Sequence, residues 1–232
     1  MKAMILAAGR GDRMRPLTDH TPKPLLEVGG KPLIVWHIEN LKKAGFEDIV
    51  INIAWLGDKI PAVLGDGSKF GVNLHYSDEQ QEGALETAGG IIKALPLLCE
   101  ELDDEPFLVV NGDVWCNFPY SNISPLPKDG LGDLAHLVLV NNPEHNPKGD
   151  FDLNDTRLNQ SGDNKFTFSG IGYYHPDLFK NLEQGKRPLA PLLREKMREN
   201  LISGELYTGD WRDIGTPTRL KKLDRALLRT SN

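Results

Sequence analysis

Between Ala8 and Lys23 the sequence AGRGDRMRPLTDHTPK packs Arg10, Arg13, Arg15 and Lys23 around Gly9 and Gly11, a composition suited to holding a polyphosphate. Glycines let a loop turn sharply and bring backbone N–H groups close to phosphate oxygens, and the cations neutralise what the amides cradle. Lys23 lies between Pro22 and Pro24, whose rings limit the backbone conformations around it. The loop is not a Walker A motif, because GxxxxGK[ST] is absent. Nor is it GxGxxG, since Met14 stands where the third glycine belongs. A lone GxG is also compatible with an ordinary turn. Two aspartates stand out as metal ligands: Asp113, after Asn111-Gly112, and Asp213, in Trp-Arg-Asp. Each alone could be a turn residue bonding its own backbone. Together they would suit Mg²⁺, which takes one or two carboxylates and completes its shell with phosphate oxygens and water.

The elements that must position these groups alternate through the first half. KAMILAA reads as a buried strand, PLIVWHIENLKKAG as a helix with Pro32 at its start and Gly45 beyond its end, and DIVINIAW as a second strand. GDKIPAVLGDG reads as a weaker helix, VNLHYSD as a strand, ETAGGIIKALPLL as a helix, and PFLVVNGDV as one strong strand from Pro106 to Val114. This order predicts an α/β fold: one Rossmann-like domain over 1–232, a mostly parallel mixed sheet with helices on both faces. Residues 1–115 would form one half and 116–232 a second, less regular one. In that second half, residues 117–133 read as a surface excursion, LAHLVLV and KFTFSGIGYYH as strands, Asn141 to Gly149 as a loop, and PLLREKMREN and TRLKKLDRALLR as amphipathic helices. In such sheets ligands sit beyond the carboxyl ends of the strands, and the first βα connection is the usual phosphate site. Residues 8–15 occupy that connection. The loop around Lys23 is expected to be exposed, with no core side chain.

Composition narrows the classes. With 39% hydrophobic and 26% charged residues the chain is an ordinary globular one, and its formal charge of −6 argues against a nucleic-acid binder. Its two cysteines, Cys99 and Cys116, form no CxxC pair, so neither a disulfide framework nor a structural zinc site is implied, and a cytoplasmic location fits. No apolar run suits a signal peptide or a membrane span. Trp36, His37, Trp55 and Tyr173-Tyr174-His175 read as packing residues, and Cys116 as a small buried hydrophobe.

The run LAAGRGDRMRPLTDHTPKPLLEVGGKPLI, with NGDVW at 111–115, GDF at 149–151, FSGI at 168–171 and WRDIGTPTRL at 211–220, closely resembles the sugar-1-phosphate nucleotidyltransferase family across nearly the whole chain. Its short length and the runs NGDVW, LAHLVLV and TFSGI are most similar to the members that join UTP to N-acetylmuramate 1-phosphate. The resemblance implies an enzyme whose partners are small molecules, a nucleoside triphosphate and a sugar 1-phosphate, with neither nucleic acid nor membrane involved. Mg²⁺ would assist in-line attack of the sugar phosphate on the α-phosphorus, releasing pyrophosphate. It assigns Ala8, Gly9, Arg10, Gly11, Asp12, Arg13 and Lys23 to the nucleotide cradle. Arg15 and Lys23 would serve the reacting phosphates, and Asp113 and Asp213 the metal. Glu82, Thr87 and Gly89, in EGALETAGG, would read the base, although Glu86 and Thr87 could simply start the following helix. Asn111, Asp150 and Ser169 would contact the acceptor. The Glu-Lys-Pro motif of larger relatives is missing, so the lysine for the sugar phosphate is unassigned, with Lys165 the nearest guess. The lack of a C-terminal repeat region implies one reaction, without acetyl transfer, and oligomeric state is left open. The alternatives are a mannose- or glucose-1-phosphate nucleotidyltransferase, a non-catalytic nucleotide-binding regulator, and a glycosyltransferase. The last is disfavoured because Asp113 is followed by Val114 and Trp115, not by a second aspartate two residues on.

Overall fold

A computed structural model describes residues 1–99, 105–122, 126 and 132–230. The chain enters through β1 (Ala3–Leu6), crosses the glycine- and arginine-rich loop, and forms a short hairpin of β2 (Glu27–Val28) and β3 (Lys31–Pro32) before α1 (Leu33–Lys43). Then follow β4 (Asp48–Ile53), α2 (Lys59–Leu64), β5 (Asn73–Asp78), α3 (Glu86–Leu98) and β6 (Phe107–Asn111). β1 pairs in parallel with both β4 and β6, and β4 with β5. From β1 the chain moves outward on one side to β4 and β5, then returns to β1's other flank as β6. That reversal opens a crevice beyond the carboxyl ends of β1 and β6, where Leu6 and Asn111 are register partners.

Alternation along the strands feeds two cores. Ala3 and Ile5 of β1 face Ile34, Ile38 and Leu41 of α1, whereas Met4 faces Ile91 and Ala94 of α3. Each fully buried Ile or Leu contributes about 1.5–3 kcal/mol, so the helices hold the ends of β1 and β6 firmly.

The strand expected over 106–114 is two. β6 ends at Asn111, Gly112 donates its N–H to the Leu6 carbonyl at 2.9 Å, and the chain turns into β7 (Val114–Cys116). Asp113 therefore lies in a turn outside the sheet. The expected excursion at 117–133 is also corrected for its described part. Phe118, Tyr120 and Leu126 are buried in the core that holds α1, and residues 123–125 and 127–131 lie outside the described residues.

The second half adds β8 (Ala135–Val140), β9 (Phe151–Asn154), β10 (Arg157–Asn159), β11 (Lys165–Tyr174), α4 (Leu189–Arg198), β12 (Ile202–Tyr207), β13 (Trp211–Asp213) and α5 (Pro217–Thr230). β11 inserts antiparallel between β6 and β8, with a bulge between Phe168 and Ile171 that frees its first residues to pair with β9. The result is one mixed nine-stranded sheet, β5-β4-β1-β6-β11-β8-β12-β10-β9. β13 leaves it to form a ribbon with β7. α5 then returns to the start of the chain. Its Leu220 and Leu223 join Met14, Leu26, Val28, Leu33 and Ile214 in a third buried cluster, and Asp224 accepts the Gly29 N–H at 2.8 Å. No helix among the described residues is long and apolar enough to cross a membrane.

Candidate active site

A cavity of about 510 Å³ fills the crevice at the ends of β1 and β6. Ala8, Gly9, Gly11, Asp12, Arg13 and Lys23 line one wall, Asn111 and Asp113 the floor, and Thr87 the far side. Gly11 adopts φ +70 as the chain enters a single turn over Asp12–Met14, a left-handed conformation that side chains disfavour. Its carbonyl accepts from Met14 N at 2.8 Å and from the Thr18 hydroxyl at 2.9 Å, which fixes the cradle's curve.

Lys23 is only 7% exposed and reaches Asp113 Oδ2 at 2.9 Å. Pro24, Leu25 and Met14 are buried beside it, so the expectation of an exposed loop without core side chains is corrected. The segment is held from beneath, and the ammonium emerges from packed surroundings. The ribbon brings the backbone of Asp213 beside that of Asp113. Ile214 N donates to the Asp113 carbonyl at 2.9 Å, and Asp213 registers against Val114. Asp213 Oδ2 lies 2.9 Å from His145 Nε2 and also takes a bond from Arg219.

Other residues assigned from the resemblance sit differently. Arg10 stacks its guanidinium 4.2 Å from the Trp55 ring centroid, and Arg15 pairs with Asp19 at 2.7 Å; neither lines the cavity. Glu82 is drawn away by Lys93 at 2.6 Å, a bond that holds its carboxyl below the ordinary range. Gly89 belongs to α3 and faces the Gly185 carbonyl so closely that an added Cβ would lie 2.3 Å from it; close packing of that loop explains the glycine. Asp150 accepts from Phe168 N at 2.9 Å and from Asn146 Nδ2 at 3.1 Å, tying the 141–149 loop to the β11 bulge. Ser169, 1% exposed, donates to the Val138 carbonyl at 2.6 Å and accepts from Ile171 N at 3.1 Å, which commits its hydroxyl to the bulge. Lys165 opens β11 opposite Asp152 and lines neither this cavity nor its neighbour.

Two cavity residues escaped the sequence reading. Asn52, at the end of β4, accepts from Ala7 N at 2.7 Å and donates to Glu79 at 2.7 Å. Glu79, fully buried, accepts from Leu85 N at 2.9 Å. The chain of bonds links the first βα loop to the 80–87 loop, and burial pushes the Glu79 carboxyl up. A polar residue interrupting the apolar run Ile49–Ile53 of β4 was the one signal available. Glu86 adds strain at the cavity rim, with φ +62 in a non-glycine residue.

A family profile described as Nucleotidyl transferase matches residues 2–149. An N-acetylmuramate alpha-1-phosphate uridylyltransferase of Neisseria meningitidis is 56% identical over 96% of both chains. The chain belongs to the nucleotidyl transferase family. A mannose-1-phosphate guanyltransferase of Yarrowia lipolytica is 32% identical to this transferase over 94% of its length, which spans 61% of that longer protein. The crystal structure of HddC from Yersinia pseudotuberculosis, complexed with GMP-PN, superimposes with a TM-score of 0.77 over 97% of this chain and 98% of that one. At 21% identity this likeness speaks for the shared fold.

Nucleotidyl transferases of this family work with a divalent cation. Among the described residues no cluster of three or more His, Cys, Asp or Glu suits a metal. Asp113 lines the cavity, whereas Asp213 does not and is held by His145 and Arg219, so the assignment of a metal pair is met in part; one carboxylate beside a phosphate-sized cavity fits an ion that fills its shell with substrate oxygens and water.

Proposed function

We infer that this enzyme transfers a uridylyl group from UTP to N-acetylmuramate 1-phosphate, giving a UDP-sugar and pyrophosphate. The full-length identity to the Neisseria uridylyltransferase supports the choice of base and acceptor. The geometry that supports this chemistry is the Lys23–Asp113 pair at 2.9 Å, set at the switch point of the sheet, with Asp213 on the neighbouring strand of the ribbon in register with Val114.

Two polyanions must meet for the reaction to occur, so alignment and charge neutralisation supply most of the catalysis. The Gly9–Arg13 backbone would cradle the triphosphate, with Arg13 and Lys23 offsetting its charge. A phosphate oxygen of the acceptor attacks the α-phosphorus, the bond to the β-phosphate oxygen breaks in line, and pyrophosphate leaves with the electron pair. Asp113 would hold Mg²⁺, joined by Asp213 once that carboxylate releases Arg219 and His145, and the ion would supply charge neutralisation at the reacting phosphates. Arg15 could reach the leaving pyrophosphate only by releasing Asp19. The Asn52–Glu79–Leu85 chain orients the loop against which the base would lie. In this reading residues 1–115 bind the nucleotide and 116–232 the acceptor. Two cysteines, Cys99 and Cys116, with no CxxC spacing fit a reducing, cytoplasmic setting.

The test is a panel pairing UTP, GTP, CTP, dTTP and ATP with the 1-phosphates of N-acetylmuramate, glucosamine, mannose and glucose. UTP with N-acetylmuramate 1-phosphate is expected to give the highest kcat/KM. A maximum with GTP and mannose 1-phosphate would favour the chemistry named for the Yarrowia relative. Silence across the panel would refute catalysis of this kind.

A further inference from the structure

A second cavity, of about 420 Å³, opens beside the first and shares Glu86, Thr87 and Asn111 with it. Beyond that shared rim its wall changes character. Phe151 of β9 and Phe168 of β11 stand with ring centroids 6.5 Å apart, and α4 contributes Leu189, Ala190 and Leu193. All the polar lining side chains lie on the rim. The β11 bulge explains the arrangement. It releases the start of β11 to pair with β9, placing Phe166 opposite Phe151 and bringing Phe168 to the cavity.

We propose that this cavity reads the substituents of the acceptor sugar, selecting sugars that carry acyl and ether carbon groups over plain hexoses. The proposal rests on the transfer reaction inferred above. An acceptor whose 1-phosphate meets Lys23 and Asp113 would extend its ring past the rim that both cavities share, at Glu86, Thr87 and Asn111. A plain hexose would turn hydroxyls toward phenylalanine and leucine side chains that cannot bond them, and each unpaired hydroxyl counts against binding. The acetamido methyl of an N-acetylated sugar, and the methyl of a lactyl ether, would instead lose water-exposed area against the same wall. A lactyl carboxylate, costly to bury among such groups, stays in water at the cavity mouth.

Ala190 is half-buried on α4, so Ala190→Leu narrows the cavity without opening a void or weakening the helix. Phe168→Ala removes part of the wall as a second, independent variant. With UTP saturating, kcat/KM is measured for N-acetylmuramate 1-phosphate and glucose 1-phosphate in wild type and both variants. Wild type is expected to prefer the first acceptor at least tenfold, each variant to reduce that preference about tenfold, and KM for UTP to stay unchanged. Equal use of both acceptors by wild type, or variants that leave the ratio unmoved, would overturn the proposal while leaving the transfer reaction standing. Failure of wild type to form a UDP-sugar from any acceptor would refute the reaction itself and the proposal with it.

Discussion

His37 packs behind the turn that carries Asp113. It is fully buried, and burial pushes its pKa down from 6.5 to about 4, opposed by a bond to the Val114 backbone and by the nearby Asp113 charge. The unfolded chain takes up that proton near pH 6.5 while the folded chain resists it until about pH 4. The neutral imidazole's contribution is therefore complete above pH 6.5 and is lost as pH falls toward 4, by up to about 3 kcal/mol. Denaturant unfolding of wild type at pH 7.5 and pH 4.5 should show this loss, and His37→Asn should show a markedly shallower one; parallel pH profiles would contradict it. At this scale the sequence was uneven in what it revealed. Lys23 and Asp113 were legible because a distinctive local run surrounds each. Asn52 and Glu79 were not, because they meet only after β4 and β5 have paired. Ser169 was named for its motif, yet its hydroxyl closes a bulge that no local pattern announces.

Long periodic elements were readable and short ones were not. β1, α1, β4, β5 and α3 lie where alternation and helix boundaries put them, because buried parallel strands and amphipathic helices impose their periods over many residues. β7 and β13 are three residues each, and their pairing spans about a hundred residues of sequence, so nothing local betrays the ribbon that carries Asp213 and follows the Asp113 turn. What steadies the ribbon and cradle is α5. Leu223, fully buried, packs in the cluster that holds Met14 under the loop and Ile214 beside Asp213. Leu223→Ala should cost about 2–5 kcal/mol of stability by denaturant titration, through lost burial and the cavity left behind. Because that cluster lies under the nucleotide wall, KM for UTP should rise as well. An unchanged KM in a destabilised variant would show that α5 supports the fold without shaping the cradle.

For the whole molecule, the chain carries a formal charge of −6, and of the four cations from Arg10 to Lys23 it is Arg13 and Lys23 that line the crevice, so a locally positive wall is set within a net negative chain. The first half of the sheet is parallel and strand order alone fixes where its crevice opens; the second half mixes directions through β11 and supplies the wall beyond it. The most direct measurement compares wild type with Asp113→Asn for pyrophosphate release from UTP and N-acetylmuramate 1-phosphate at saturating Mg²⁺. Asp113 is partly exposed and outside the sheet, and the amide oxygen of asparagine can still accept from Lys23, so the variant should stay folded, with some loss of melting temperature from the unpaired Lys23 charge. The expected result is one pyrophosphate per UDP-sugar in wild type and at least about a hundredfold slower release in the variant. Turnover by Asp113→Asn within twofold of wild type would contradict the claim that Lys23 and the two aspartates form a single site for nucleotidyl transfer.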